Sequence, residues 1–309
     1  MLAQTLPTFD EQLDAALAAA IAPLRATLPD VEQRIQAFIA CFGAPPAGAT
    51  FKHITPQARA LHADVTRTAG ADGAGRFLLA CLHAAVGASM RGERLARLPT
   101  RVRGHQLRQY VRIARHDDRF LPHCRLEADV FLKEFGLATL RLYAGASSVI
   151  DPHSGVGRSL MWKAGLARLP ARALFFARAG GFKPYFEVHV NKLYLEEFNE
   201  EGRNECYRCC AELYALHPEN LGMFAGSWFY DPAVAQVSPR LAYLREIPVA
   251  GGARCMLDSY NDQALANATA TSPTRRALVD AGRYRPASYA LVWPRRAQLA
   301  WAKQHPSKK

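Results

Sequence analysis

Val149-Ile150-Asp151-Pro152-His153-Ser154-Gly155-Val156-Gly157-Arg158-Ser159-Leu160 is the segment where the pattern of the chain changes. An apolar strand ends, two glycines close a tight turn, and a helix is expected over Gly157–Leu169. Glycine lets the backbone turn sharply and approach a ligand closely. Free amide N–H groups at a helix start, together with the positive end of its dipole, attract anions. Arg158 adds a full positive charge. Gly155, Val156, Gly157, Arg158 and Ser159 are therefore the expected cofactor-binding residues, holding a phosphate-bearing ligand such as a pyrophosphate.

Working outward, segments Arg125–Leu132, Leu137–Tyr143 and Ala146–Ile150 are short and strand-like. A strand is also expected at Ala173–Ala177 and another at Tyr185–Val190. A helix near Glu201–Leu216 leads to the aromatic strand Leu221–Tyr230. Ser272-Pro273 opens a helix that Gly282 can end, and Ser288–Trp293 reads as a final strand before a lysine-bearing tail. Such alternation predicts an α/β (α+β) fold, a mixed sheet flanked by helices. The expected division is a helical N-terminal region, 1–120, followed by an α/β domain, 121–309.

The N-terminal region earns its helical reading locally. Thr8 and Glu11 form a capping box, and Leu13, Leu17, Ile21 and Leu24 follow at helical spacing. Asp30 can cap a second helix that Gly43 would end, with a loop over Gly43–Thr50. Thr55-Pro56 opens a third helix, and Phe77, Leu78, Cys81 and Leu82 mark a fourth.

Hydrophobic residues make up 50% of the chain and charged ones 21%, a balance suited to a packed core rather than disorder. No run reaches the ~20 apolar residues needed to span a bilayer, so no membrane span is expected. The start of the chain carries Asp10, Glu11 and Asp14 without a basic leader, which predicts a cytoplasmic protein. Seven cysteines without regular spacing are expected to stay reduced. The net charge of +12 favours polyanions or phosphorylated cofactors without choosing among them.

Gly155-Val156-Gly157-Arg158-Ser159-Leu160 resembles the cofactor loop of the GNAT acyltransferase superfamily, Gln/Arg-x-x-Gly-x-Gly/Ala after a strand. Pro152 stands where Gln or Arg is usual. The resemblance extends by order of elements over about residues 125–235. It implies acyl-CoA as co-substrate, a small amine-type acceptor, and contact of the CoA pyrophosphate with the amides of Gly155 through Ser159. The same glycines do not make a dinucleotide fingerprint, because Leu160 stands at the third glycine position.

Strand alternation puts Tyr185, Glu187 and His189 on one face. Glu187 or His189 is the expected base that deprotonates the amine, and Tyr230 the expected acid that protonates the departing thiolate. A solvated strand face and a packed aromatic strand end are the plain structural readings of these residues. Cys206, Cys209 and Cys210 crowd one helix without completing a four-ligand zinc set, so no metal is predicted. His116-Asp117-Asp118 is a further metal candidate among balancing arginines. Gly145-Ala146-Ser147-Ser148-Val149 lacks the closing glycine of a nucleophile elbow.

Two other functions remain open. Arg108, Arg112, Arg115 and Arg119 recur at helical spacing and offer a nucleic-acid-binding face without catalysis. A metal-dependent small-molecule enzyme built around His189 is the other.

Overall fold

The computed structural model describes residues 8–42, 49–146, 148–163 and 165–306. Gly43, most of the loop expected after it, Ser147 and the last three residues of the tail lie outside them. The chain divides into two compact units, Met1–Ala144 with Asn191–Leu193, and Gly145–Val190 with Tyr194–Lys309.

The first unit is helical. Helix α1 (Phe9–Ile21) starts at the Thr8–Glu11 capping box, with both reciprocal hydrogen bonds formed. Helix α2 (Val31–Phe42) buries Ile35, Phe38 and Phe42 on one face. Helix α3 (Pro56–Arg91) opens at Thr55, whose side chain accepts from the Ala58 amide. Gly70, with φ 74°, kinks it at the junction between the two helices expected from the sequence. By length and composition α3 is apolar enough to cross a membrane, yet 78% of its apolar window is buried inside the fold. Short α4 (Glu93–Ala96), α5 (Thr100–Ile113) and α6 (Asp129–Ala138) complete the unit. Its core is aromatic: Phe38 meets the rings of Phe42, Phe77 and Phe135 at 5.2, 5.6 and 5.7 Å.

Helix α6 corrects the strands expected at Arg125–Leu132 and Leu137–Tyr143. Every residue from Phe131 to Ala138 is buried, the polar Lys133 and Glu134 included. A short segment buried all round cannot be told from a buried strand by periodicity. Because α6 belongs to the first unit, the division falls after Ala144 and not near residue 120.

The sheet has six strands in the order β1-β2-β3-β4-β6-β5, a mixed sheet flanked by helices. The strands are β1 (Tyr143–Gly145), β2 (Ser148–Ser154), β3 (Tyr185–Val190), β4 (Gly222–Ser227), β5 (Arg254–Ser259) and β6 (Ser288–Pro294). β2 with β3, β4 with β6, and β5 with β6 run antiparallel; β3 and β4 run parallel. The parallel pair requires a crossover, supplied by α8 (Glu200–Leu213), which Asn199 caps by accepting from the Gly202 amide. Helix α7 (Leu169–Ala179) precedes β3, and α9 (Val234–Val237), α10 (Tyr243–Ala250), α11 (Asp262–Thr269), α12 (Pro273–Asp280) and α13 (Arg295–Gln304) follow β4. Ser272 caps α12 and Gly282 follows it with φ 68°, as expected.

Helix α7 corrects the strand expected at Ala173–Ala177. Pro170 stands in its first turn, and Gly180, with φ 89°, ends it in the left-handed region. Conversely, the helix expected over Gly157–Leu169 does not form among its described residues; two 3-10 turns, Arg158–Met161 and Leu166–Arg168, stand there before Leu169 opens α7.

Residues directly opposite in paired strands share a face. On one face Tyr185, Met256, Ala290 and Val292 join Val156, Leu160 and Phe176 in a core cluster. On the other, Tyr207 of α8 packs its ring on Trp293 and Trp301 at 5.2 and 5.8 Å.

Candidate functional site

The parallel pair at the centre of the sheet comes apart at its carboxyl end. β3 and β4 keep register through only two pairs, Phe186↔Met223 and Glu187↔Phe224. Each strand then continues, held on its outer side: Val190 pairs with Ser148 of β2, and Ser227 pairs with Tyr289 of β6. Beyond Glu187↔Phe224 the two strands have no further registered pair with each other among the described residues. A crevice beyond the carboxyl ends of parallel strands is where open α/β sheets take ligands. The crossover geometry also brings the first turn of α8 to this end of the pair.

Glu187 occupies the last registered pair, and His189 lies two residues on, on the same face. The His189 Nε2 is 3.7 Å from the Glu187 Oε2, and both side chains are about four-fifths buried. Ser154 donates its hydroxyl hydrogen to the same Glu187 oxygen at 2.6 Å. It reaches that oxygen because β2 shifts register between Asp151 and Ser154, which sets Ser154 opposite Tyr185. Gly226 lies on this face as well, exposed, and a Cβ there would meet no atom within 4 Å. The two expected bases are thus brought together, with open space beside them along β4.

Tyr230 does not join them. It follows β4 in a 3-10 turn and is fully buried. Its hydroxyl accepts from the Arg203 Nη2 at 2.8 Å, while the Arg203 Nη1 donates to the Ser148 Oγ at 2.9 Å. Ser148 neighbours Val149, which pairs with His189, so Ser148 points to the face opposite His189. Arg203, Ser148 and Tyr230 form a buried polar group behind the fork. Burial raises the Tyr230 pKa strongly, against a smaller lowering by Arg203, so the phenol keeps its proton.

The glycine turn is built differently from its sequence reading. Without an α-helix after Gly157 there is no row of converging helix amides, and the Val156 amide donates to the Phe182 carbonyl at 2.9 Å. Neither Gly155 nor Gly157 adopts a positive φ. Gly155 is small because the Lys183 side chain lies where its Cβ would be. Val156 and Leu160 enter the core cluster on the sheet face, and Arg172 donates to the Leu160 carbonyl. The turn covers the sheet. Arg158 and Ser159 remain exposed beside it.

The arginine face also breaks up. Helix α5 ends at Ile113, so Arg115 and Arg119 lie beyond it. Arg112 donates to both oxygens of the buried Glu134 at 2.7 Å. Arg108 contacts the His105 ring at 2.5 Å, and Arg119 pairs with Asp117 at 2.7 Å. His116 contacts Glu134 and Asp118 pairs with Arg76, which occupies the other members of the His116-Asp117-Asp118 metal candidate. Cys206, Cys209 and Cys210 are buried free thiols on α8.

Ser154 and Arg203 were not anticipated. Ser154 depends on a register shift that no spacing rule announces. Arg203 sits in Asn199-Glu200-Glu201-Gly202-Arg203-Asn204, whose composition reads as exposed.

The chain matches no family model, and no curated protein or solved structure is similar to it.

Proposed function

We propose that the protein transfers an acyl group from acyl-CoA to a small amine, with the reacting centre at the carboxyl end of β3. The observation that carries this reading is the fork: two parallel strands diverge past Glu187↔Phe224 while each stays anchored on its outer side. A strand edge recognises an extended, amide-bearing chain by backbone hydrogen bonds, and Ala225–Ser227 of β4 continue beyond the last pair with β3. The pantetheine arm of CoA is such a chain. It would lie along β4 past Gly226, with the thioester beside Glu187 and His189.

Glu187 or His189 takes the proton from the attacking amine, directly or through water, while backbone N–H groups of the fork polarise the thioester carbonyl. The C–N bond forms, the C–S bond breaks, and the thiolate leaves with a proton from solvent, since Tyr230 is buried behind the fork. The Ser154 hydroxyl fixes the Glu187 carboxylate by donating to it, which orients the base. The glycine turn at Gly155–Ser159 has no part in this version of the mechanism, because it lacks the helix start that would hold a pyrophosphate.

Two measurements test the reading together. An acyl-CoA should raise the melting temperature of the wild type with increasing concentration and should release free thiol when an amine is added. Gly226→Leu places a side chain in open space, so it folds but loses the melting shift. Glu187→Gln and His189→Asn should keep the shift, and at least one should lose about a hundredfold in rate, the scale of a missing general base. A panel of acyl-CoAs that stabilises neither wild type nor variants, or stabilises Gly226→Leu equally, ends the proposal.

A further inference from the structure

A cavity of about 620 Å³ opens in the second unit beside the start of β4 and the first turn of α13. None of its lining residues belongs to the Glu187–His189 pair. Four cationic side chains line it, Arg178, Arg295, Arg296 and Lys303, and among the described residues no carboxylate does. The rest of the wall is largely aliphatic, with Leu221, Leu299 and Ala300 beside Pro218 and Pro294. No aromatic ring stands ready to stack a planar base. The volume suits a small molecule.

The charge on this wall is not balanced from within the fold. Arg295 donates to the Pro218 carbonyl at 2.6 Å and lies over the Tyr214 ring at 4.9 Å. Arg178, Arg296 and Lys303 are exposed and form no ion pair among the described residues. Arg295 and Arg296 stand in the first turn of α13, which has no acidic residue and no side-chain cap. The helix dipole is positive there, so anions are favoured and cations disfavoured. Two arginines at that position gain from an anion in front of them.

Asn220 supplies a second, independent feature. It lines the cavity and is 1% exposed. Its Nδ2 donates to the Pro152 carbonyl at 3.1 Å, which fixes the orientation of the carboxamide, since a flipped group would set two oxygens together. The Oδ1, buried, then has no hydrogen-bond partner. Buried polar atoms are almost always paired. An acceptor in want of a donor, beside unpaired cations and an aliphatic wall, describes its missing partner chemically.

We propose that this cavity binds an aliphatic carboxylate carrying an N–H or O–H donor near its anionic end, an N-acyl amino acid being the simplest example. The carboxylate meets Arg296 and Lys303, the donor meets the Asn220 Oδ1 once that buried side chain turns toward the cavity, and the chain lies on Leu221 and Leu299. The proposal stands independently of acyl transfer, because its test reads binding alone.

The test is calorimetric titration of the full chain with N-decanoylglycine, decanoate and decyltrimethylammonium, each below its micellar range. N-decanoylglycine should bind one per chain and roughly tenfold tighter than decanoate, which lacks the donor. The cationic amphiphile should not bind. Arg296→Glu combined with Lys303→Glu alters two exposed side chains, leaves the melting temperature near that of the wild type, and should weaken binding about tenfold or more. Ala300→Trp fills the cavity from an exposed position and should abolish binding. Sedimentation with phosphatidylglycerol vesicles, lost in the double variant, without binding of either acid would place a lipid phosphate there and overturn the proposal; binding in titration without sedimentation identifies a free acid. Equal binding of the cationic amphiphile, affinity unchanged in both variants, or binding to neither acid nor vesicles overturns the proposal.

Discussion

Arg112 in the helical unit and Arg203 in the sheet unit are both drawn from water, on opposite terms. Arg112 meets a full negative charge: Glu134 is completely buried and takes two hydrogen bonds from it. Arg203 is 1% exposed and meets the neutral hydroxyls of Ser148 and Tyr230 and, at 5.3 Å, the Tyr207 ring, with its Nε unpartnered. A buried charge that is paired and hydrogen-bonded can be a structural fixture. One held by neutral groups keeps part of its field unspent. Arg112 is thus neutralised by a carboxylate of its own unit, whereas Arg203 sits among neutral groups behind the fork and the cavity beside α13 is lined by cations.

The most severe way to break the contrast is Glu134→Ala. It leaves Arg112 facing a buried void where its counter-ion stood, and such losses cost about 3–5 kcal/mol. The drop should appear as a lower urea midpoint by circular dichroism. The same pair sets an acid limit. Burial raises the Glu134 pKa, but Arg112 and His116 outweigh it and hold the carboxyl below its ordinary value of 4.5. Its contribution is therefore fully present above pH 4.5 and is lost as pH falls through the depressed folded value. A wild type with an acid transition no steeper than that of Glu134→Gln would show the pair to be idle.

His83 gives the next effect, in the same unit. It is 1% exposed, and neither ring nitrogen has a hydrogen-bond partner. Burial, with a smaller push from His116, lowers its pKa from 6.5 to about 4. The group is depressed on folding, so its stability is present above pH 6.5 and erodes as pH falls towards 4, where the unfolded chain binds the proton more readily. That span corresponds to roughly 3 kcal/mol. His83→Leu should flatten the fall in urea midpoint between pH 7 and pH 4.5, whereas wild type should keep it. Equal slopes would mean that the ring finds a proton acceptor when the helices relax.

How far this could be read from the sequence depended on whether a signal was local. Caps and breakers are local, and Thr8 with Glu11, Thr55-Pro56, Ser272-Pro273 and Gly282 stand where such residues act. Alternation in Tyr185–Val190 is local too, and it put Glu187 and His189 together before any coordinates. A helix buried on every side gives no such signal: in Phe131–Ala138 even Lys133 and Glu134 are buried, so polarity does not report the exposed face. The glycine turn misled for a further reason. Gly-x-Gly reports that side chains are unwelcome, but not whether a ligand or Lys183 occupies the space. The fork depends on where two strands distant in sequence stop pairing, which no single segment encodes.

The smallest effect is expected at Arg203. Arg203→Met keeps most of the packing volume but leaves the Ser148 and Tyr230 hydroxyls without their donor, which costs about 1–3 kcal/mol. No uncompensated charge remains behind, so the loss should fall below that of Glu134→Ala. A loss as large would mean that Arg203 has a hidden counter-charge, and Cys206 is the group to examine. A hydrogen bond from Cys210 lowers the Cys206 pKa, burial opposes it, and Arg203 lowers it further. Thiolate absorbance near the far ultraviolet edge, followed against pH in wild type and Arg203→Met, separates the cases. A thiolate seen only with Arg203 present would make the second unit's arginine as balanced as the first's, by sulfur instead of carboxylate; its absence in both keeps the asymmetry between the two units intact.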